Sequence, residues 1–289
     1  MTDIVNTVIS GLSLGATYAF MALAFALIFS TTKVFNLAQA QFLVLGGLLA
    51  HTLLVERDWP WLLGALLILP VVAIIGFVQE VVTIRPIKVG YNWILTTLGA
   101  SFLLQAGFAQ MYGAEPYPVD SFVGSTAQHL GGIRFVPSQV LAGVAVLVLV
   151  TAIELFARRT RPGTAWRATA QNRDTAATLG INTRRIVTMV FLVAAAVAAL
   201  GGILTAPTTY ASAYGGDLIS FMSFLAIAIG GMTTTMGAVI GGFLLGLLEA
   251  FSLDLIGAQF NLVMVFTVVL AFLLVRPNGL FYAGESRVV

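Results

Sequence analysis

The sequence predicts an all-α, polytopic integral membrane protein, and composition and run length carry that prediction. Of 289 residues, 59% are hydrophobic and only 9% are charged, whereas a soluble domain carries about 25% charged residues. A water-exposed surface cannot be built from so few charges. Eight uncharged runs approach or exceed the roughly 20 apolar residues that cross a bilayer. They are 4–32, 34–55, 59–79, 89–114, 135–153, 186–216, 218–248 and 255–275.

The seventh run is too long for one simple span. It contains Gly230 and Gly231, followed by Thr233–Thr235 and Gly237, and such clusters punctuate helices. We therefore predict a break that leaves one short segment before it and another over about 238–255. The chain, 1–289, is then a single membrane domain of eight to nine hydrophobic segments. If the two segments on either side of the break form a re-entrant pair instead, the number of full membrane crossings is still odd.

Basic residues set the predicted orientation, because cytoplasmic loops of membrane proteins are enriched in Lys and Arg. The stretch 158–185 holds seven arginines and one acid, so it should be cytoplasmic. Alternation over nine segments puts 12 of the 14 basic residues inside, the N-terminus outside and the C-terminus in the cytoplasm. The stretch 115–134 becomes an external loop. The other basic residues inside are Lys33, Arg85, Lys88, Arg276 and Arg287, and those outside are Arg57 and Arg134.

Motifs for enzymatic chemistry are incomplete in this sequence. No G-x-x-x-x-G-K-[ST] occurs, so no P-loop is predicted. Tyr214–Asp217 nearly matches the G-x-G-D of intramembrane aspartyl proteases, but a second mid-membrane aspartate is missing, and sharing a proton needs two carboxylates. The absence of cysteine excludes thiolate chemistry. We expect no enzyme, no cofactor, no metal site and no nucleic-acid partner.

Polar side chains inside the apolar runs are the candidates for a transport path. Asn36, Gln39 and Gln41 cluster at the start of the second run, Gln105 lies on the fourth, and Glu249 lies deep in the protein. Helical spacing places Asn36 and Gln39 on one face and turns Gln41 elsewhere. Interhelical hydrogen bonding and the lining of a path for a zwitterionic solute both fit this pattern. Carboxylates inside the apolar runs, such as Glu249, are scarce, which favours a transport mechanism whose driving force comes from outside the chain.

Two further features predict helix contacts. Because a lipid-facing carboxylate costs several kcal/mol, Glu249 should face another helix or the path. Small residues four apart allow close helix association in lipid, and three such pairs occur, namely Gly11–Gly15, Gly237–Gly241 and Gly242–Gly246. These pairs suit internal packing or a seam with a second membrane subunit.

The cytoplasmic stretch predicts two short helices. Thr164 can cap the first, and Asn172 or Asp174 can cap a second over 175–179 that ends at Gly180 in the left-handed conformation. Alanines along both helices permit close approach by another surface. A solvated basic loop at the lipid headgroups fits the composition as well.

This stretch follows the pattern G-x-x-x-R-A-x-A-x-N-x-x-x-A-x-x-x-G-I-N, which resembles the coupling segment of the branched-chain amino acid ABC permease family. The stretches 11–19, 35–42 and 230–242, with 276–280 near the end, resemble the same family in order and spacing. The coupling positions that the resemblance implies are Gly163, Arg167, Ala168, Ala170, Asn172, Ala176, Gly180 and Ile181, with Asp174 among them.

The resemblance implies the membrane permease subunit of an ATP-binding-cassette importer in the inner (plasma) membrane. Its implied solutes are branched-chain or other hydrophobic amino acids, with urea or short amides as an alternative. A stand-alone secondary transporter is a further alternative. The implied partners are cytoplasmic ATPase subunits, a second permease subunit, an external solute-binding protein and membrane lipid.

Overall fold

Apolar helices make up most of the protein, as expected. The computed structural model describes residues 2–86, 92–124, 126–130 and 133–281, so Lys88 and Arg287 lie outside the described residues. In chain order, the elements are α1 (Thr2–Thr32), α2 (Gln39–Ala50) with a π-helical continuation (His51–Glu56), α3 (Trp61–Gln79) with a π-helical continuation (Glu80–Ile84), α4 (Asn92–Tyr112), β1 (Gln128–Leu130), β2 (Ile133–Phe135), α5 (Pro137–Arg159), α6 (Arg161–Gln171), α7 (Arg173–Thr178), α8 (Thr183–Thr209), α9 (Gly216–Gly230), α10 (Thr235–Ile256) and α11 (Asn261–Val275).

Seven of the described helices are long and apolar enough to cross a membrane. They comprise α1, α4, α5, α8 and α10, together with α2 and α3 when their π-helical continuations are included. The apolar helices α9 and α11 are shorter, at 15 residues each. The chain is therefore a multi-pass membrane protein, whereas the count of eight to nine segments and the orientation of the termini stay predictions.

The predicted break in the seventh apolar run is confirmed. Helix α9 ends at Gly230, and Gly231 has φ 109°, a value that favours glycine. Helix α10 begins at Thr235, slightly earlier than expected. The segment after α11 folds back onto the break, because Leu280 N donates to Ile229 O at 2.8 Å. The carbonyls at the end of α9 are thereby satisfied by the chain itself.

The prediction of an all-α chain is wrong between α4 and α5, in the loop that is predicted to be external. Strands β1 and β2 form an antiparallel hairpin in which Gln128 pairs with Phe135 and Leu130 with Ile133. Strands of three residues are too short for the alternation that identifies a strand in a sequence. The same loop is joined to the end of α8 by a β-bridge between Tyr117 and Ala211.

Helices α1 and α10 pack antiparallel with their backbones in contact, through the α1–α10 seam formed by Gly11, Gly15, Gly242 and Gly246. A Cβ on Gly11 would lie 2.8 Å from Cα of Leu247, and a Cβ on Gly246 would collide with the backbone of Gly11 and Gly15. These glycines therefore serve internal packing. Because residues 15–28 of α1 are all buried, α1 is the central helix of the bundle.

Candidate functional sites

Helix α4 carries one stripe of buried polar side chains, and its exposed side chains are mainly apolar. Thr97, Ser101 and Gln105 are buried at four-residue spacing and form the α4 polar stripe. The exposed side chains of α4 include Leu95, Phe102, Leu103 and Met111. In a membrane, polar groups face the interior of the bundle or an internal cavity, so the stripe marks an internal polar surface.

Three amides form a second polar group beside this helix, the amide cluster of Asn36, Gln39 and Gln79. Asn36 Nδ2 donates to Gln39 Oε1 at 3.2 Å and to Gln79 Oε1 at 2.9 Å, while Gln79 Nε2 donates back to Asn36 Oδ1 at 3.0 Å. The backbone N–H of Ala38 donates to Asn36 Oδ1 at 3.3 Å, which fixes the orientation of the Asn36 amide and therefore those of its partners. Gln39 Nε2 is left buried with no hydrogen-bond partner among the described residues.

Asn36 and Gln39 lie close together, as predicted, but they do not share a face of one helix. Helix α2 begins at Gln39, so Asn36 belongs to the preceding turn and reaches Gln39 from there. That turn is held by aromatic packing. The Phe35 ring lies 4.3 Å from the ring of Phe29 and 5.2 Å from that of Phe224, measured between centroids. The amide cluster therefore sits where α1, α2, α3 and α9 meet.

Gln41 points away from the amide cluster, as predicted. Its Nε2 donates to Ser101 Oγ at 3.2 Å, which ties α2 to the α4 polar stripe. Its Oε1 is buried and has no partner in the described part of the chain. Further along the stripe, Gln105 Nε2 donates to Asp217 Oδ2 at 2.8 Å, at the start of α9. Gln39, Gln41 and Gln105 thus lie along α2 and α4, and Asn36 lies in the turn before α2.

Glu249 lies elsewhere, on helix α10. Its carboxylate accepts a hydrogen bond from Tyr18 Oη of α1 at 2.6 Å, so it faces another helix, one of the two alternatives predicted. One turn further along α10, Asp254 Oδ2 accepts from Thr7 Oγ1 at 2.7 Å. The structure therefore assigns Glu249 to contact between α1 and α10 and does not bring it together with the other four candidates.

The stretch 158–185, predicted to be cytoplasmic, contains the two predicted short helices, with a different first cap. Thr160 Oγ1 accepts from Gly163 N at 3.1 Å and caps α6, so the prediction of Thr164 is wrong. Proline at the first turn accounts for the earlier start. For α7 the cap is Asn172, whose Oδ1 accepts from Asp174 N at 3.0 Å. Asp174 itself lies in the first turn of α7.

The coupling positions divide between those facing the bundle and those facing outward. Ala176 is only 2% exposed, so the expectation that it meets a partner surface is wrong, and it packs within its own chain. Gly180 has φ +82°, as its predicted stop position requires. Gly163 is buried, Ala168, Ala170 and Ile181 are half-buried, and Arg167, Asn172 and Asp174 are exposed. Leu179, which follows α7, is 75% exposed.

Trp166 connects α6 to the core and was missed by the sequence patterns. Its Nε1 donates to Thr31 Oγ1, near the end of α1, at 2.7 Å, and the bond is buried. Beside it lies an apolar cavity of about 240 Å³ lined by residues such as Leu27 and Phe156. Trp166 thereby links α6 directly to α1. In the sequence, Trp166 is the single large aromatic residue in a segment of small and basic residues, and this contrast could have identified it.

A bundle of long apolar helices with an internal polar surface defines a multi-pass membrane protein. Residues 7–275 match the family described as branched-chain amino acid transport system / permease component, and the chain belongs to that family. The family resemblance predicted from the sequence is confirmed.

Characterised relatives match over almost the whole chain. The high-affinity branched-chain amino acid transport system permease protein LivH of Salmonella typhimurium is 28% identical over 300 residues, covering 97% of this chain and 96% of LivH. The corresponding protein BraD of Pseudomonas aeruginosa is 27% identical over 296 residues, with the same coverages. Among solved structures, PsaBC from Streptococcus pneumoniae in complex with Fab has a TM-score of 0.46 at 15% identity, covering 99% of this chain and 92% of the PsaBC chain.

Proposed function

We propose that this chain is the permease subunit of an ATP-binding-cassette importer in the inner (plasma) membrane and forms part of an amino-acid path. The observation that carries the proposal is the match of residues 7–275 to the permease family. Branched-chain or other hydrophobic amino acids are the proposed solutes. A second permease subunit, cytoplasmic ATPase subunits and an external solute-binding protein are the proposed partners.

The chemistry of α2 supports a zwitterionic solute. Gln39 Nε2 is a buried donor and Gln41 Oε1 a buried acceptor, and neither has a partner among the described residues. A buried polar group without a partner costs about 1–3 kcal/mol, and a solute group that pairs with either of these atoms would remove the cost at that atom. An amino acid carries a carboxylate that accepts and an ammonium that donates. The side-chain amides of Gln39 and Gln41 are themselves neutral, which suits a solute with no net charge.

The cytoplasmic helices supply a connection to ATP hydrolysis. We assign the contact with the ATPase to the outward side chains Arg167, Ala177 and Leu179, which are all exposed. The bond from Trp166 to Thr31 then links α6 to α1, which packs against α10. An ATP-dependent shift between two conformations of the permease requires that the ATPase bind them with different affinities. The successive contacts from α6 to α1 and α10 connect the proposed ATPase contact to the bundle.

The proposed orientation predicts opposite labelling of two introduced cysteines. Thr178 on α7 and Asp120 in the external loop are both exposed, and the natural chain has no cysteine. We expect an impermeant thiol reagent to label Thr178→Cys only from the cytoplasm and Asp120→Cys only from outside. Thr169 is unsuitable because it is buried, and Ser125 lies outside the described residues. Labelling of both cysteines from the same side would contradict the orientation.

Replacement of Gln39 by leucine should lower solute uptake about 10- to 100-fold, because it removes a hydrogen-bond donor to a charged group worth about 1.5–3 kcal/mol. The measurement is ATP-dependent uptake of labelled leucine by the reconstituted complex. The control is Gln110→Leu, on the exposed face of α4, which should leave uptake unchanged.

Three outcomes of this experiment separate the alternatives. Equal uptake by both variants would remove Gln39 from the path. Competition by urea or acetamide, but not by isoleucine, would favour an amide permease. Uptake by this chain without its ATPase would favour a secondary transporter.

A further inference from the structure

An open cavity of about 420 Å³ lies between the end of α3 and the start of α8. It is separate from the amide cluster and from the outward face of α7. Its walls combine basic, polar and apolar side chains. The lining residues are Arg85, Asn182, Arg184, Arg185, Thr188, Met189 and Leu192.

The charge in this cavity is positive and only partly compensated. Arg85 Nε donates to both carboxylate oxygens of Glu80, at 2.9 and 3.1 Å, and Glu80 is 1% exposed. A further nitrogen of Arg85, Nη2, donates to Thr188 Oγ1 at 2.9 Å, which fixes the guanidinium at the cavity wall. Arg184 and Arg185 are exposed, and no ion pair is formed by either within the described residues. Two positive charges are therefore available to a ligand.

The cavity also runs along the apolar part of α8. From Asn182 to Leu192 the helix rises about 15 Å at 1.5 Å per residue, so the cavity reaches from the arginine level to Met189 and Leu192. The apolar part of the lining is formed by Met189 and Leu192. A ligand that fills the site must be anionic at one end and apolar at the other.

We propose that this cavity binds an anionic phospholipid, with the headgroup phosphate at Arg85, Arg184 and Arg185 and an acyl chain along Met189 and Leu192. Guanidinium groups suit phosphate because they donate two parallel hydrogen bonds, and basic pockets between membrane helices recognise lipid headgroups. An acidic surface of a soluble partner could meet Arg184 and Arg185, but it would not extend to the apolar wall at Leu192.

The proposal is tested by lipid retention measured with native mass spectrometry on the purified full chain. Phosphatidylglycerol should be retained in preference to phosphatidylcholine. The double variant Arg184→Gln/Arg185→Gln should bind phosphatidylglycerol roughly 30-fold more weakly, since each arginine near an anionic surface contributes about 1 kcal/mol. The matched control is Arg159→Gln/Arg161→Gln, which removes two exposed charges from the neighbouring segment and should retain the lipid.

A second variant, Leu192→Trp, leaves the arginines intact and fills the apolar end of the cavity, so it should also weaken retention. Equal loss in the two double variants would overturn the proposal, because it would show a diffuse effect of charge. Displacement of the lipid by glycerol 3-phosphate would assign the site to a soluble phosphate. Unchanged retention together with lost ATPase association would assign Arg184 and Arg185 to a protein partner, which would also overturn it.

Discussion

Replacement of Gly246 by leucine should prevent the assembly of the bundle. A Cβ at this position would occupy the space of Gly15 N and Gly11 O, and those atoms belong to the backbone of the central helix. They cannot move aside as a flexible side chain can. The expected loss exceeds about 4 kcal/mol, which places it among exceptional single substitutions. The measurement is the yield of monodisperse protein and its thermal unfolding in detergent.

The matched control for this variant is Gly143→Leu. Gly143 lies on α5, and a Cβ there would meet no atom within 4 Å. The two variants add the same apolar side chain to a membrane helix and differ only in what that side chain meets. Equal yields and equal unfolding temperatures for both would show that the α1–α10 seam does not hold the bundle together.

Replacement of Leu179 by aspartate should uncouple the permease from the proposed ATPase partner while leaving insertion intact. The side chain is 75% exposed at the end of α7, so the fold of this chain does not depend on it. Burial of a leucine at an interface contributes about 1.5–3 kcal/mol, and an unpaired carboxylate there costs more. We expect ATPase affinity to fall by at least roughly 100-fold, measured by co-purification and by solute-stimulated hydrolysis.

The conservative variant Leu179→Met keeps the apolar surface and should restore both association and stimulation. Normal association and full stimulation in Leu179→Asp would show that α7 is an ordinary exposed helix and not a docking surface. Ala176 is unsuitable for this test, because it is buried within its own chain and a larger residue there would disturb this chain directly.

Features that depend on local chain properties could be predicted from the sequence. Gly230 and Gly231 stand where an apolar run exceeds the length of a span, and α9 ends there. Gly180 stands where a short helix must stop, and its φ is positive. The arginine-rich stretch is too polar to continue the membrane helices, and it forms α6 and α7 between α5 and α8.

Features that depend on tertiary neighbours could not be predicted. Ala176 and Ala177 are adjacent in a six-residue helix, and only the packing of α7 against its neighbours decides that Ala176 is the buried one. Gln79 ends an apolar run and gives no pattern of its own, yet it completes the amide cluster through Asn36, which is 43 residues away in the sequence. Asp217 likewise gains a partner only because α9 starts beside α4.

The glycines of the α1–α10 seam also affect how the bundle responds to temperature. Glycine has no side-chain rotamers to lose, so closure of the seam costs no side-chain conformational entropy. In lipid, helix association relies on van der Waals contact and not on release of water from apolar surface. The weakening on cooling that follows from hydration of apolar groups therefore does not apply to this contact, and the central pair of helices should stay closed in the cold.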